Sequence, residues 1–521
     1  MSGGLLVTGT SSDAGKSVVV AGLCRHLARR GVRVAPFKAQ NMALNSAVTP
    51  DGAEIGRAQV AQAAAAGVTP EAAMNPVLLK PSGERRSQVV VLGRPLDDVD
   101  ARSYQRLKAE LREVVLDSLA SLRRRFDVVV CEGAGSPAEI NLREGDLVNM
   151  GLARAAGLPV VLVGDIDRGG VFASLFGTLA LLDRADQALL AGFLINKFRG
   201  DFSVLAPGLD QLEGLTGRPV LGVLPWLRGL WLDVEDSLAL EGPRDGALPP
   251  IGRDPLSVAV VRLRWISNFT DFDALASEPG VAVRFTQSPA DVLAADLAVL
   301  PGTKATVEDL AWLRSRGLDR ALARRAAERR PTLGICGGYQ MLGKRVVDEV
   351  ESGAGEVEAL GLLPVETLFQ ASKVLGNPDG DALAFGGVPV RGYEIHHGRV
   401  RRFGGEPLMA GGGGEEGCRR GSVAGLSWHG VFEGDEFRRA FLAWVAACRG
   451  LDWVPGGRSF AEVRRQRLDL LGDLIAEHAD TGAIERLIAA GPPPALPSIP
   501  PGAPPGRPPR PAPATEPGAP R

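Results

Sequence analysis

The feature that most constrains this chain is a glycine-rich turn between an apolar run and a helical pattern. Residues 5–17 read LLVTGTSSDAGKS, and five residues rather than the usual four separate Gly9 from Gly15. Backbone N–H groups and the helix N-terminus at such a turn can cradle phosphates, while Lys16 reaches the β- and γ-phosphates and Ser17 ligates Mg²⁺. We therefore predict a nucleotide site here. Its predicted contacts are Thr10, Gly15, Lys16 and Ser17.

Short runs that are apolar throughout occur in both halves of the chain. Examples are LLVTG at 5–9 and DVVVCEG at 127–133 in the first half, and DLAVLPGT at 296–303 and PTLGICGG at 331–338 in the second. Strands that are apolar on both faces are typical of parallel sheets covered by helices. We therefore predict an α/β fold with two open, mostly parallel-sheet domains.

Two changes in composition set the predicted domain boundaries. The segment EGPRDGALPPIGRDPL at 241–256 is rich in glycine, proline and charge, which is typical of a linker. Residues 491–521 contain 14 prolines in 31 residues, a density that argues against any packed element. The predicted organisation is a first domain at 1–240, a linker at 241–254, a second domain at 255–490 and a disordered tail at 491–521.

The composition argues against several classes of protein. The 521 residues carry 59 Lys and Arg against 61 Asp and Glu, and the net charge of −2 argues against a nucleic-acid or anionic-membrane partner. No apolar run is long enough to span a bilayer, and the beginning of the sequence lacks the pattern of a secretory signal. Five cysteines without a CxxC pair argue against a disulfide framework and a thiolate zinc site, and they favour a reducing cytoplasm.

The phosphate-loop pattern separates two groups of nucleotide-binding proteins. Partitioning-type ATPases carry a second lysine five positions before the motif lysine, whereas this chain has Ser11 there. The form GT-x4-GK[ST] resembles dethiobiotin synthetase and its relatives, which phosphorylate a carboxylate-type group. The resemblance implies that Glu132, at the end of a strand that opens onto the ligand crevice, and Glu54 are Mg²⁺ ligands, with a solvated surface carboxylate as the alternative for each. It also implies that Asn196 contacts adenine.

A second motif lies in the other half, where LGICGG at 333–338 follows an apolar strand. Gly334 and Gly338 allow a strained strand-to-helix turn that lifts Cys336 into the open, and the helix N-terminus behind it lowers the pKa of the thiol. Backbone N–H groups at such a turn can hold an oxyanion. We predict that Cys336 is a nucleophile. The alternative is a buried structural cysteine, the role we expect for the other four cysteines.

A nucleophilic cysteine needs a base, and the chain has five histidines. His429 ends the strand-like run VAGLSWHG, with Glu433 four residues later, and is the predicted base. His396 and His397 are the competitors because they also lie in the second half of the chain.

Together these residues resemble a class I glutamine amidotransferase domain. The resemblance implies that the cysteine attacks the glutamine amide, a γ-glutamyl thioester forms and ammonia leaves. Members of that class usually show His-Pro-Glu, but here Glu433 is displaced. The prediction is therefore a dyad of Cys336 and His429, with Glu433 as the candidate third member. For the oxyanion, the resemblance implies the backbone of Gly302 and Gly337.

Longer strings narrow the resemblance. They include FKAQNMALNS at 37–46, CEGAGSPAEINL at 131–142 and GYEIHHGRV at 392–400. Over about residues 4–485 the chain resembles the cobyric acid synthase family, in which a synthetase-like ATPase is fused to a glutamine amidotransferase domain. This implies that ATP with Mg²⁺ phosphorylates the b, d, e and g carboxylates of a corrin, adenosylcobyrinic acid a,c-diamide, and that ammonia from glutamine converts them to amides. The residues implied at the substrate or the domain interface are Lys38, Gln40, Asn41, Glu394 and His396.

The sequence leaves alternatives open. The sister enzyme, cobyrinic acid a,c-diamide synthase, shares the layout and the GYEIH string but not KAQNM or EINL, and a cell-wall amidotransferase belongs to the same superfamily. An alternative from another class is a nucleotide-switched scaffold with an inert thiol domain, which Ser11 and the intact cysteine turn argue against. The oligomeric state is not specified by any of these patterns.

Overall fold

The computed structural model describes residues 2–82, 86–227 and 248–499. The part up to residue 227 contains a six-stranded sheet, a four-stranded sheet and a two-stranded hairpin. In chain order its strands and helices are β1 (Gly3–Gly9), α1 (Lys16–Arg29), β2 (Val34–Phe37), β3 (Gln40–Met42), β4 (Ser46–Val48), β5 (Glu54–Gly56), α2 (Arg57–Ala66), β6 (Val77–Pro81), β7 (Arg86–Val91), β8 (Arg94–Asp100), α3 (Ala101–Arg125), β9 (Val128–Glu132), α4 (Met150–Ala156), β10 (Val160–Asp165), α5 (Val171–Leu181), α6 (Arg184–Gln187), β11 (Leu190–Phe198), α7 (Phe202–Thr216) and β12 (Val220–Pro225).

The six-stranded sheet has the order β12–β11–β10–β1–β9–β2, and every pair in it is parallel. Leu5 and Val7 of β1 pack into one hydrophobic cluster, and Leu6 packs into another. Both faces of the sheet are therefore covered, which explains why its strands are apolar throughout. The prediction of an open parallel sheet in this half is confirmed. Because β1 lies next to β9, the turn after β1 and the end of β9 meet at the same edge.

The second part begins at β13 and contains a six-stranded sheet of order β14–β13–β15–β16–β26–β25, parallel except for the β25 edge. Its strands and helices are β13 (Leu256–Val261), β14 (Val281–Thr286), α8 (Pro289–Ala294), β15 (Leu297–Leu300), α9 (Thr306–Ser315), α10 (Leu318–Ala327), β16 (Thr332–Ile335), α11 (Gly337–Leu342), β17 (Arg345–Asp348), β18 (Gly355–Glu358), β19 (Val365–Gly376), β20 (Asp379–Ala382), β21 (Val388–Arg391), β22 (Glu394–Arg402), β23 (Met409–Gly411), β24 (Gly414–Glu416), β25 (Cys418–Arg420), β26 (Val423–Leu426), α12 (Asp435–Arg449), α13 (Phe460–His478) and α14 (Thr481–Ala490). The mostly parallel second sheet is also as predicted.

The last two helices pack against the first sheet, not the second. Leu471 and Ile475 of α13 lie in the hydrophobic cluster that contains Leu5 and Val7. A Cβ added at Gly22 of α1 would lie 2.6 Å from Cγ1 of Ile475, so the two helices are in close contact. The predicted second domain, 255–490, therefore differs from the structure at its end, because the apolar face of α13 completes the core of the first domain.

The beginning of the proline-rich tail is ordered against the first domain. The amide of Gln187 donates to the carbonyl oxygen of Ile499 at 2.8 Å and accepts from its N–H at 2.7 Å. The guanidinium of Arg218, which is fully buried, donates to the carbonyl oxygen of Pro497. The first residues of the predicted tail, up to 499, are thus held against the first domain, because buried polar side chains bind their backbone. Residues 500–521 lie outside the described part.

The predicted linker, 241–254, is described only from residue 248 onward. There the carbonyl oxygen of Leu248 accepts from the N–H of Gly280 at 2.8 Å, so this part lies against the second domain. Among the described residues, no helix is both long enough and apolar enough to cross a membrane.

Candidate active sites

Cys336 occupies the turn between β16 and α11, with a φ of 49°. This is the left-handed region, which costs a residue with a side chain about 1–3 kcal/mol and is frequent at functional sites. A Cβ at Gly338 would lie 2.0 Å from the carbonyl oxygen of Leu300, and one at Gly334 would lie 2.7 Å from the carbonyl oxygen of Gly338. Only glycine fits at either position, so both glycines are required to form the turn.

The surroundings of Cys336 favour its thiolate. Burial raises the pKa of the thiol, but the charge and the hydrogen bond of His429 lower it, as do His396 and the N–H of Gly337, and the balance holds this pKa below the usual thiol range. In contrast, burial raises the pKa of the Cys24 thiol, and it raises the pKa of the Cys131 thiol to about 12. Of these three cysteines, Cys336 is therefore the one whose surroundings favour the thiolate.

The carboxylate of Asp271, which was not among the predicted site residues, holds His429. Nδ1 of His429 lies 2.7 Å from Oδ2 of Asp271, whose Oδ1 accepts from the N–H of Gly430 at 2.8 Å. Both side chains are almost fully buried, and the ring of Tyr393 stacks on the imidazole at 5.4 Å. Burial lowers the pKa of His429, but Asp271 and Cys336 outweigh burial and raise it to about 10. The surroundings of the pair therefore favour the ionised forms, a thiolate facing an imidazolium.

Glu433 does not occupy the position suggested for it. Its Oε1 binds Arg57 from the first domain, and its Oε2 accepts from Arg464 at 3.1 Å. Asp271 takes the place beside His429 because the short turn at Phe269–Phe272 lies against the strand end that carries His429. We therefore correct the candidate third member from Glu433 to Asp271. The only sequence signal was an acidic residue in the string SNFTDFDAL after β13.

Gly302 lies against the imidazole of His429, and Gly337, which follows Cys336 in the chain, lies against Thr303. A Cβ at Gly302 would lie 2.8 Å from Cε1 of His429, and one at Gly337 would lie 2.6 Å from Cγ2 of Thr303. The loop after β15 and the start of α11 are therefore packed against each other around Cys336. Asp309 fixes this loop, since its carboxylate binds Thr303 and accepts from the N–H of Trp265 at 3.2 Å.

The two histidines of the GYEIHH string lie at the same cavity as Cys336. Nε2 of His396 lies 3.3 Å from Oε1 of Glu394, and its Nδ1 lies 2.8 Å from the carbonyl oxygen of Gly398. Burial lowers the pKa of His396, but Glu394 and Cys336 raise it above its usual value overall. His397 lies 3.0 Å from the carbonyl oxygen of Gln370, and burial lowers its pKa. His429 alone of the three has a buried carboxylate at its Nδ1, which is the arrangement of an oriented base.

In the first domain, Lys16 folds back over the phosphate loop. Its Nζ donates to the carbonyl oxygens of Ser11 at 2.9 Å and Gly135 at 3.2 Å. Gly15 has a φ of 101°, and a Cβ there would lie 1.9 Å from Nδ2 of Asn196, which donates to the carbonyl oxygen of Ala14 at 3.0 Å. Asn196 thus supports the loop itself. The N–H of Thr10 binds β10 through the carbonyl oxygen of Val163 at 2.9 Å.

Ser17 and Glu132 are suitable for holding Mg²⁺. The hydroxyl of Ser17 donates to Oε1 of Glu132 at 2.8 Å, and Lys38 donates to the same oxygen at 2.9 Å. Burial raises the pKa of Glu132, but Lys38, Gln62 and Ser17 outweigh it and lower this pKa, so the carboxylate is ionised. Mg²⁺ prefers hard oxygen ligands and is usually bound by one or two carboxylates together with substrate phosphates. A hydroxyl and an ionised carboxylate in contact fit that requirement.

Glu54 has a different role from the one implied by the resemblance. Its Oε1 accepts from Lys80 at 2.7 Å, and its Oε2 accepts from Lys373 of the second domain at 2.5 Å. Burial raises its pKa, but the two lysines outweigh burial and lower it strongly. The assignment of Glu54 as a metal ligand is corrected, since both of its oxygens bind lysines. Among the described residues, no group of three or more His, Cys, Asp or Glu side chains is placed to bind a metal.

The hairpin of β4 and β5 joins the two domains beside the turn that carries Asp271. The N–H of Ser46 donates to Oδ1 of Asn268 at 2.9 Å, and the N–H of Phe269 donates to Oδ1 of Asn45 at 3.1 Å. These reciprocal bonds clamp the turn that carries Asp271. Nearby, Val48 packs with Tyr393, which lies over His429. The first domain therefore contacts the elements that position the base.

The KAQNM string follows β2. Asn41 is buried, and its amide donates to Oε1 of Gln59 at 2.9 Å. Gln40 begins β3, where it pairs with Val77 of β6. Lys38, at the start of this string, lies directly at Glu132.

A cavity opens where the two domains meet. It is lined by Cys336, His396 and Lys373 of the second domain and by Lys80 of the first. The predicted nucleophile therefore faces the same space as a residue of the nucleotide-binding domain.

Comparisons with known proteins agree with this arrangement. Residues 5–238 match the family described as the CobQ/CobB/MinD/ParA nucleotide binding domain, and residues 257–437 match the CobB/CobQ-like glutamine amidotransferase domain. A cobyric acid synthase from Frankia casuarinae is 61% identical over 523 residues, which span 96% of this chain and 99% of the relative. One from Streptomyces coelicolor is 61% identical over 506 residues, again 96% of this chain and 99% of the relative. A third, from Nocardia farcinica, is 59% identical over 95% of this chain and 99% of the relative.

Proposed function

Because the chain belongs to the cobyric acid synthase family, we propose that it amidates the b, d, e and g carboxylates of adenosylcobyrinic acid a,c-diamide with ATP and glutamine. The enzyme is a glutamine-hydrolysing amide ligase of cobalamin biosynthesis. The corrin is its substrate, and Mg²⁺ accompanies the ATP. The cytoplasmic location remains the prediction of the sequence.

The synthetase step occurs at the phosphate loop. A corrin carboxylate attacks the γ-phosphorus of ATP, the bond to the β-phosphate oxygen breaks, and an acyl phosphate and ADP form. Lys16 neutralises charge on the transferred group, and the N–H groups around Gly15 hold the phosphates. Mg²⁺, held by Ser17 and Glu132, would neutralise further phosphate charge. Support comes from the ionised Glu132, which contacts both Ser17 and Lys38.

The glutaminase step occurs at Cys336. Its thiolate attacks the side-chain amide carbon of glutamine, and the N–H groups of Gly302 and Gly337 hold the oxyanion. The imidazolium of His429, oriented by Asp271, gives its proton to the departing ammonia and then takes a proton from the water that hydrolyses the thioester. Glutamate leaves, and the thiolate is restored. Support comes from the left-handed turn at Cys336 and the 2.7 Å contact between His429 and Asp271.

Ammonia passes between the domains and displaces phosphate from the acyl phosphate, which gives the amide. An internal route avoids protonation of ammonia by bulk water. The cavity shared by Cys336 and Lys80 supports this proposal. Two lysines of its lining, Lys80 and Lys373, bind Glu54, so buried charges of both domains meet beside this cavity.

The proposal rests on the 61% identity to a cobyric acid synthase over 96% of this chain, together with the buried arrangement of Cys336, His429 and Asp271. The test is incubation of the purified protein with ATP, the a,c-diamide and glutamine labelled with heavy nitrogen in its side-chain amide. Mass analysis of the corrin then counts the labelled nitrogens. The proposal predicts that the a,c-diamide gains four labelled nitrogens. If the a,c-diamide gains no label whereas cobyrinic acid gains two labelled nitrogens, the protein catalyses the sister reaction instead.

A further inference from the structure

The cavity at Cys336 contains a pair of opposite charges that the reaction steps above do not use. Lys304 binds Oε1 of Glu351, and both residues line the cavity. Their side chains are 9% and 20% exposed, whereas that of Lys80, also in the lining, is 5% exposed. Glu351 thus lies nearer the solvent side, and Lys80 lies toward the first domain.

The other charged side chains of the lining are engaged within the protein. Lys80 and Lys373 bind the two oxygens of Glu54. His396 lies beside Glu394 and the carbonyl oxygen of Gly398. Lys304 and Glu351, by contrast, bind each other inside the cavity. A molecule with one negative and one positive group can therefore separate them, with its negative group on Lys304 and its positive group on Glu351.

The backbone holds both members of this pair in place. The carboxylate of Asp348, which is 2% exposed, accepts from the N–H groups of Val350 at 3.0 Å, Glu351 at 2.8 Å and Ser352 at 3.0 Å. On the other side, the N–H of Lys304 donates to the carbonyl oxygen of Trp265 at 3.0 Å. Both charges therefore project from fixed loops, which is the arrangement expected of a recognition site rather than of a solvated surface pair.

The position of the pair relative to the thiol fits an α-amino acid. Lys304 follows Gly302 by two residues in the loop that packs around Cys336. A glutamine whose amide reaches Cys336 would leave its charged end toward Glu351, and the released ammonia would face Lys80.

We propose that Lys304 binds the α-carboxylate of glutamine and that Glu351 binds its α-ammonium group. This pair then selects free L-glutamine over amides that lack either charge. The inference rests on the proposed use of glutamine by Cys336. A buried charged partner left without its counterpart is costly, so an analogue that lacks one group is expected to lose roughly 10–100-fold in kcat/KM.

The test compares three amides as substrates for ammonia release. They are L-glutamine, glutaramate, which lacks the amino group, and γ-aminobutyramide, which lacks the carboxylate. Lys304→Met should abolish the preference for glutamine over γ-aminobutyramide but retain the preference over glutaramate. Glu351→Gln should give the reverse pattern. Each substitution should raise KM for glutamine more than it lowers kcat, and neither should change amidation with added ammonium.

Matched controls lie close by in the chain. Glu349 and Lys344 are exposed and lie outside the cavity lining, so Glu349→Gln and Lys344→Met should retain both preferences. If a variant is too slow for kinetics, the measurement is instead the rate at which iodoacetamide alkylates Cys336, with and without L-glutamate as a protecting ligand. Protection should be lost in Lys304→Met and retained in Lys344→Met.

The outcomes separate this inference from the proposed function. If the unaltered protein hydrolyses glutamine but both variants retain its preferences and its protection by glutamate, the assignment of Lys304 and Glu351 is overturned and the proposed function stands. If the unaltered protein releases no ammonia from glutamine, the proposed function fails and this inference fails with it. The assignment is supported if Lys304→Met loses only the preference over γ-aminobutyramide and Glu351→Gln loses only the preference over glutaramate.

Discussion

Asp271 Oδ2 lies 2.7 Å from Nδ1 of His429, although 158 positions separate the two residues in the sequence. The contact joins a short turn after β13 to the end of β26, and it completes a buried chain of charge from carboxylate to imidazole to thiol. The first domain clamps the same turn through Asn45 and Asn268. The orientation of the base therefore depends on contacts from both domains.

Asp271→Asn should reduce glutamine hydrolysis by about 10²–10⁴-fold, because the amide stabilises the imidazolium less and orients the ring less firmly. The measurement is ammonia release from glutamine at neutral pH. Glu433→Gln is the comparison, since Glu433 binds Arg57 and Arg464 rather than His429. A larger loss in Glu433→Gln than in Asp271→Asn would restore Glu433 as the third member.

Cys336→Ala should abolish the use of glutamine but leave amidation with added ammonium largely intact, because the proposed acyl phosphate would form on the other domain. Corrin amide formation is measured with each nitrogen source. Cys448→Ala serves as the control, since Cys448 is an exposed thiol. Continued hydrolysis of glutamine by the Cys336 variant would show that another group is the nucleophile.

Lys16→Ala should abolish amide formation with either nitrogen source, since the transferred phosphate loses its main compensating charge. Hydrolysis of glutamine should persist, because Cys336 and His429 lie in the second domain. Arg30→Ala, at the exposed end of α1, is the control for loss of a positive charge. Amide formation at the normal rate in Lys16→Ala would rule out the acyl-phosphate step.

The thiol–imidazole pair should have a characteristic pH dependence. Its neighbours hold the pKa of Cys336 below the usual thiol range, so iodoacetamide should react with it at pH values where ordinary thiols are protonated. The pKa of His429 is raised to about 10, so glutaminase activity should fall on the alkaline side near that pH, where the proton for ammonia is lost. In Asp271→Asn the pKa of His429 falls, the thiolate loses stabilisation, and the alkylation profile moves to higher pH. An unchanged profile would contradict the coupling.

The sequence predicted the features that depend on neighbouring residues. The turns at Gly15 and Cys336 need particular residues within a few positions, so their patterns are visible in one string. The apolar strands that precede them also identify the parallel sheets. For the same reason the nucleophile and its base could be selected before the fold was known.

Contacts between distant segments were not visible in this way. Asp271 meets His429 through the packing of distant segments of the second domain, and Lys373 meets Glu54 through the contact between the two domains. Only eight of the 59 basic residues are lysine, and on composition alone this bias carried no functional weight. In a chain so biased toward arginine, lysines are informative positions, and five of them bind at the two sites or between them. They are Lys16, Lys38, Lys80, Lys304 and Lys373.

A chain that ends at Ala490 should be less stable than the full chain, in contrast to the expectation from proline content alone. Such a truncation removes the carbonyl of Pro497 from the buried guanidinium of Arg218 and both hydrogen bonds between Gln187 and Ile499. Polar groups that remain buried without partners cost about 1–3 kcal/mol each, which corresponds to a fall in melting temperature of several degrees, at about 2–4 °C per kcal/mol for a domain of this size.

The matched control is a chain that ends at Ile499, which retains those three contacts and should melt close to the full chain. Gln187→Ala in the full chain should lower the melting temperature in the same direction, because it removes the partner of Ile499 from the other side. Equal melting temperatures for the chains ending at Ala490 and at Ile499 would show that the segment from Gly491 to Ile499 contributes nothing to stability, since a docked segment must stabilise the fold that holds it.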